Sequence, residues 1–359
     1  MSGIFGILGL ADTERVFAQT VGQKVIYDAI VRLLEMYNAE LAQALGIFVE
    51  EETDAFKERY KLAGGGRLQR RGGQAPSGAV KAYGGYDIAL PLEDFGAQMA
   101  GDDVALAYMT LQDIQRHLDT IFIQDAATVR FELLKALLNN TQRTFVDPLH
   151  GSLLVEPLAN GDAVVYPPVL GSETEATDTH YLESGYAAAN ISDTNDPFPT
   201  MKDELEEHFG VVQGGGNLIA FINSAQRAKV GDLTDFDPIP SNYVIPGTQT
   251  PTPINLPQSV PGAVLGYHAC GIWVVEWRSL PAAYMVAIDA DAPAPLKVRV
   301  DPADTGLGRG LQLVAKDEQY PLESSHYRHR FGFGCGNRLN GVVMELGTGG
   351  TYTIPSGYS

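Results

Sequence analysis

The stretch Arg67 to Leu92 reads RLQRRGGQAPSGAVKAYGGYDIALPL, and its reading decides what kind of fold surrounds it. Taken from Lys61 to Tyr86, the passage holds five basic residues (Lys61, Arg67, Arg70, Arg71 and Lys81), no acid and eight glycines. Nothing in it repeats at the period of a helix or a strand. So few apolar side chains cannot offset the entropy of ordering, and the segment makes no core of its own. A protruding loop or long hairpin is expected, longer than the connections of a compact domain. It carries +5 over 26 residues, whereas the chain totals −19, so the remainder holds −24. That polarity suits docking on the acidic surface of a neighbour, such as Ser172–Gly210 or Glu50–Asp54.

The whole chain has 359 residues, 45% of them hydrophobic, enough for one to three folded units. With 44 Asp+Glu against 25 Lys+Arg, its overall surface repels nucleic-acid phosphates, a balance that leaves room for a local basic patch. Two cysteines, Cys270 and Cys335, make no disulfide framework and fit a reducing compartment. No apolar run approaches the ~18 residues of a membrane helix. The apolar start, Met1 to Leu10, has no Lys or Arg before it and is a poor signal peptide. Abundant Gly (39) and Pro (21) point to turns and long loops rather than a helical bundle.

On the N-terminal side of the basic stretch, Gly22 to Phe48 carries Ile26, Ile30, Leu33, Tyr37, Leu41, Leu45 and Phe48 at helical spacing. That stripe needs a partner, either its own core or another subunit. Glu50 to Asp54 reads as an acidic stop. On the C-terminal side, Thr110 and Asp113 have capping-box spacing, and Leu111, Ile114, Leu118, Ile121, Val129, Leu133 and Leu137 continue a stripe to about Asn140. A helix of that length spans about 45 Å, with a break conceivable at Gln124–Asp125.

Beyond Arg143 the texture is β and loop. Asn160-Gly161, between Ser152–Glu156 and Ala163–Tyr166, has the chemistry of a hairpin turn. Ser172 to Gly210 is acidic, and Thr200 to Phe209 reads as a short helix. Asn217 to Lys229 holds a strand and a helix start, and Pro238 to Pro261 is a proline-rich loop. Strands are expected at Gly271–Arg278, Ala283–Asp289, Leu296–Val300, Leu311–Lys316, Tyr327–Phe333 and Gly341–Leu346.

Chemistry-bearing constellations are few. His326, His329 and Cys335, with His268 and Cys270, invite a metal site. On a strand, however, His326 and His329 point to opposite faces, and Cys335 lies about 20 Å further along. Asp289 and Asp291 share strand parity and could supply a divalent-metal pair, but no third acidic ligand is placed, and a strand entering a turn explains them. Gly73 to Gly78 has phosphate-loop spacing without the following Lys-Ser/Thr. Lys202-Asp203-Glu204-Leu205 is an internal tetrapeptide and no retention signal. No nucleophile elbow and no Cys/His nucleophile pair is expected. Catalytic, cofactor-binding and metal residues are therefore all expected to be absent.

The order of features resembles the major capsid proteins of tailed bacteriophages, with their α+β Hong Kong 97-type shell fold. Arg67 to Leu92 is similar to the extended E-loop, and Thr110 to Asn140 to the spine helix of the P-domain. Gly266 to Asp289 (GYHACGIWVVEWRSLPAAYMVAID) is similar to the end of the A-domain. His326 to Leu346 (HYRHRFGFGCGNRLNGVVMEL) is similar to the last P-domain strands. The resemblance implies an N-terminal arm with an amphipathic helix over 1–60 and an E-loop over 61–92. It implies a P-domain over 93–179 with its spine helix at 110–140, an A-domain over 180–290, and closing P-domain strands with a tail over 291–359.

The implied function is structural: self-assembly as pentamers and hexamers into an icosahedral shell enclosing double-stranded DNA, without sequence-specific binding, membrane or cofactor. Intersubunit E-loop contacts would come from Lys61, Arg67, Arg70, Arg71 and Lys81, and arm packing from Ile26, Ile30, Leu33, Tyr37 and Leu41. Implied partners are further copies of the chain, separate scaffolding and portal proteins and, in some members, cement proteins. The implied location is the virion capsid, assembled in the host cytoplasm. Some members crosslink a loop Lys to a neighbour's Asn; Lys61, Lys81 and Asn337 are the residue types available, with no geometry fixed. An encapsulin-like compartment shell is the alternative within the same fold. A metal-dependent hydrolase using Asp289, Asp291 and histidines is the alternative from another class.

Overall fold

A computed structural model of the chain describes residues 23–62, 84–100, 110–172, 174–208, 217–238, 260–314 and 324–359. It begins with helix α1 (Gln23–Leu45) and strands β1 (Val49–Thr53), β2 (Lys57–Lys61), β3 (Gly85–Ala89) and β4 (Glu93–Ala100). Helix α2 (Leu111–Leu138) follows, then β5 (Arg143–Asp147), β6 (Gly151–Val155), β7 (Tyr181–Glu183), helix α3 (Pro197–Glu206), β8 (Leu218–Ile222), the short helix α4 (Arg227–Gly231) and β9 (Phe236–Pro238). The remainder is β10 (Ala263–His268), β11 (Ile272–Glu276), β12 (Tyr284–Asp289), β13 (Leu296–Arg299), β14 (Gln312–Val314), β15 (Ser324–Cys335) and β16 (Val342–Glu345). Among the described residues no helix is long and apolar enough to cross a membrane.

The chain divides into two compact units, with the division falling inside α1, α2, β13 and β15. The first comprises 1–43, 92–132 and 299–332. Its core sets Ile26, Ile30 and Leu34 of α1 against Ile114, Leu118 and Ile121 of α2, with Met99, Leu311 and Tyr327. Burying each such aliphatic side chain contributes about 1.5–3 kcal/mol, which is what holds an otherwise polar helix in place. Leu33, counted in the stripe by spacing, is instead 45% exposed. A 3.6-residue period runs Ile26, Ile30, Leu34, Tyr37, and leaves residue 33 on the outer flank. Leu41 is partly buried.

The capping box forms as its spacing predicts: the Asp113 amide donates to Thr110 Oγ1 and the Thr110 amide to Asp113 Oδ2, both at 3.2 Å. No break occurs at Gln124–Asp125. Asp125 is instead buried, accepting from Tyr37 Oη at 2.9 Å and lying 2.7 Å from His329 Nδ1. A polar residue in the stripe marks a buried partner here, not a hinge. β15 pairs antiparallel with β4 from Ser324↔Ala100 to Phe331↔Glu93, and with β14 on its other side.

The second unit comprises 44–91, 133–298 and 333–359. A seven-stranded mixed sheet runs β7-β16-β12-β8-β11-β10-β9. β8 reads LIAFI and is buried at every position, the continuous apolar run of a strand covered on both faces. One face takes Phe198, Met201 and Leu205 of α3. On the other, Phe221 lies 5.0 Å from the Phe48 ring, which stacks at 5.3 Å on Trp277. Asp196 caps α3 by accepting from the Phe198 amide, with Pro197 in the first turn, so the helix starts before Thr200.

Two turn expectations need correction. Glu50 to Asp54 is no stop, because β1 forms there and lies beside β13. Asn160-Gly161 does not join a hairpin; β6 pairs with β5 instead, Arg143↔Val155 to Asp147↔Gly151. Asp147 Oδ1 accepts the amides of Leu149 and His150, and Gly151 takes φ +75°. That Asx turn supplies the reversal locally. The six C-terminal strands all form, with their described ends within a residue or two of those expected or, for the fifth, extended.

Candidate functional site

The root of the basic segment is a two-stranded antiparallel ladder from Lys57↔Ala89 to Lys61↔Gly85. Its rungs explain its sequence. Tyr60 and Tyr86 face each other and stack at 5.3 Å, while Lys57 and Arg59 both reach Asp87, at 2.8 and 3.2 Å. Gly85 closes the ladder at φ +146°, where a Cβ would stand 2.4 Å from the Tyr60 carbonyl oxygen; only glycine fits. Tyr86 Oη donates to the Gly336 carbonyl at 2.7 Å and accepts from the Arg338 amide at 3.1 Å. Lys61 sits exposed at the end of the ladder. Arg67, Arg70, Arg71 and Lys81 lie outside the described residues.

Beneath this root lies an ionic cluster for which the sequence carries no spacing signal. Lys297 Nζ, on β13, reaches Glu51 at 2.6 Å, Glu58 at 2.9 Å and Glu50 at 3.9 Å. Burial opposes the lysine's charge, but the bonds to Glu51 and Glu58 hold its pKa above the usual value. Burial likewise works against the Glu58 carboxylate, and bonds from Lys297 and Thr53 bring it below the usual range. One lysine thus ties β1, β2 and β13 together. Lys297→Met is expected to cost about 1–3 kcal/mol at neutral pH. Glu58's contribution is present above the ordinary carboxylate pKa and is lost as pH falls through its lowered one. The wild-type advantage, measured by urea melts, should therefore narrow below about pH 4.

Several acids counted as docking surface are thus engaged within the chain. Besides Glu50 and Glu51, Asp196 lies 3.0 Å from His268 Nε2, and Asp193 accepts from Thr234. The charge balance alone overstates the acid available to a neighbour.

The metal-site candidates do not converge. His326 is exposed and His329 buried on opposite faces of β15, as parity requires. Cys335 is buried and its thiol donates to the Pro295 carbonyl; burial pushes it up to about 12. His268 lies 3.0 Å from Cys270 Sγ; burial would lower its pKa, yet Asp196 and Cys270 hold it at about 9. Asp289 Oδ1 accepts the Asp291 amide, the arrangement expected of a strand entering a turn. Asn337 donates to the Pro293 carbonyl at 3.1 Å.

Two further polar centres have no local signature in the sequence. Arg338 has 0% exposure, donating to the carbonyls of Pro157 and Leu158 and to Asn160 Oδ1, with Asp162 at 2.8 Å. Asp178, His180, Glu207 and His208 place four ligand-type atoms within 4.8 Å of one another, the one such group among the described residues. Their separation, with His180 just before β7 and His208 just after α3, hides them from any spacing rule.

A solved structure from Mycobacterium phage Patience matches this chain with a TM-score of 0.65 and 19% identity, covering 98% of this chain and 99% of that one. The mature capsid of bacteriophage PhiM1 aligns at TM-score 0.47 and 11% identity, covering 83% and 86%. The capsid of an empty GTA particle, computed with C5 symmetry, aligns at 0.45 and 12%, covering 85% and 90%. No family model matches the sequence, and no curated protein does. The chain thus has the α+β Hong Kong 97-type shell fold, and the resemblance to tailed-phage capsid proteins is borne out at the level of the fold.

Proposed function

We propose that this chain is the major capsid protein of a tailed phage, assembling as pentamers and hexamers into an icosahedral shell around double-stranded DNA. The observation that carries the reading is the end-to-end match in fold to a phage structure. In this reading residues 1–60 are the arm, 61–92 the E-loop, 93–179 and 291–359 the P-domain with its tail, and 180–290 the A-domain. The rooted β2–β3 ladder supports it, because a basic segment held at both ends is presented to a neighbour without loosening its own subunit. So does an apolar face on the β5–β6 hairpin. Val146 is 72% exposed, Leu154 50% and Leu149, at the tip, 86%. Val146 and Leu154 project from one side of the ladder, a surface that another copy would cover. Scaffolding and portal proteins would be separate partners, the location the virion, and the role structural rather than catalytic.

Electron microscopy of the purified chain tests assembly, and nuclease treatment of recovered particles tests contents. Protected double-stranded DNA supports the capsid reading; particles filled only with protein would favour a compartment shell.

A further inference from the structure

Asp178, His180, Glu207 and His208 are held with their ligand-type atoms turned toward one another, all within 4.8 Å. Nδ1 of His180 lies 2.9 Å from the Gly341 carbonyl oxygen, and Nδ1 of His208 lies 2.7 Å from that of Pro167. A carbonyl oxygen only accepts, so both Nδ1 atoms carry hydrogens. A neutral ring in that tautomer presents a bare lone pair at Nε2. Both Nε2 atoms face one oxygen, Asp178 Oδ2, at 3.1 and 2.9 Å, and Nε2 of His208 is also 3.4 Å from Glu207 Oε1. Lone pairs facing a carboxylate at these distances repel unless a cation lies between. Two extra protons would serve, but they would make two imidazoliums of rings only 0% and 9% exposed, both aimed at a single oxygen. One metal ion satisfies every atom at once.

We propose that Asp178, His180, Glu207 and His208 form a binding site for a single zinc-class divalent cation. Two imidazole nitrogens and two carboxylate oxygens are a donor set zinc accepts, with bonds near 2.0–2.1 Å. Tetrahedral geometry at that length separates ligands by ~3.3 Å, close to the 2.9–3.4 Å seen from the histidine nitrogens to the carboxylates. The Nδ1–H to carbonyl bonds are the outer contacts that orient ligating histidines. The Thr179 amide holds Asp178 Oδ1 at 2.7 Å, leaving Oδ2 for the metal. A bound ion joins the approach to β7 with the end of α3, a link between segments about thirty residues apart in sequence. The site depends on these four residues alone and stands whether or not the chain forms a shell.

The test uses the full 359-residue chain, stripped with EDTA, reloaded with zinc chloride and gel-filtered, with metal measured by mass spectrometry. Wild type and the surface control His117→Gln should each retain one zinc per chain and melt at higher temperature with zinc than with EDTA. His208→Gln and Asp178→Asn should lose both the metal and the shift while keeping their far-ultraviolet circular dichroism. Should either variant fail to fold, cobalt(II) loaded into wild type decides the matter: the intense visible bands of tetrahedral N/O coordination are expected. A wild type that retains no zinc and shows no shift, zinc held equally by both folded variants, or the weak spectrum of octahedral cobalt would each overturn the site.

Discussion

Reversing Arg67, Arg70 and Arg71 to Glu together is expected to leave a folded, soluble subunit that no longer assembles. The substitution changes the Lys61–Tyr86 segment from +5 to −1. The root of that segment is fixed by contacts the substitution leaves alone: the Tyr60–Tyr86 stack, the Asp87 ion pairs, and the bond from Tyr86 to Gly336. Folding should therefore be indifferent, and circular dichroism and melting temperature unchanged. Assembly is another matter. Each exposed pair contributes only about 0–1 kcal/mol, but in the proposed shell reversal would replace attraction by repulsion at every interface. A few kcal/mol per subunit is on the order of a thousandfold in each association step. Velocity sedimentation should show slow subunits or small oligomers in place of fast particles. Added salt should lessen the difference by screening both attraction and repulsion. Normal particles from the triple variant would remove these arginines from the assembly mechanism.

The second large effect is on folding. Arg338→Met should destabilise the chain by about 3–5 kcal/mol, lowering the melting temperature by roughly 10 °C. The guanidinium is fully buried, and its removal strands the carbonyls of Pro157 and Leu158 together with Asp162. It also lies over the Tyr86 ring, 5.4 Å from the centroid, so its loss reaches the root of the basic segment. Arg338→Lys keeps the charge but not the planar fork, and should fall between the two. A melting temperature within a degree or two of wild type for Arg338→Met would show that the bonds contribute nothing net.

Features set by neighbours along the chain are legible in the sequence itself. The capping box at Thr110–Asp113, the stripe of α2 and the period of two along β15 all follow from residues a few positions apart. The mismatches share one cause: a distant partner overrides a local signal. Asn160-Gly161 has turn chemistry, yet Asn160 serves Arg338, 178 residues away, while Asp147 makes the turn. Asp125 reads as a helix defect until Tyr37 and His329 are brought to it. Leu33 and Leu34 both satisfy a loose three-or-four spacing from Ile30, but the cumulative 3.6-residue period puts Leu34 against Ile114 and Leu118. Lys297 and the Asp178 cluster draw partners from strands and turns far apart in the chain, so composition supplies their residues but not their meeting. The −24 outside the loop is an accurate sum, but part of it is neutralised within the fold.

If this chain builds a closed shell from many copies of itself, electron microscopy of the purified protein, concentrated under native conditions, shows it most directly. Uniform hollow particles are expected, or the five- and six-membered rings from which they are built. A preparation that is folded by circular dichroism yet holds only monomers, with neither rings nor shells, would contradict the shell.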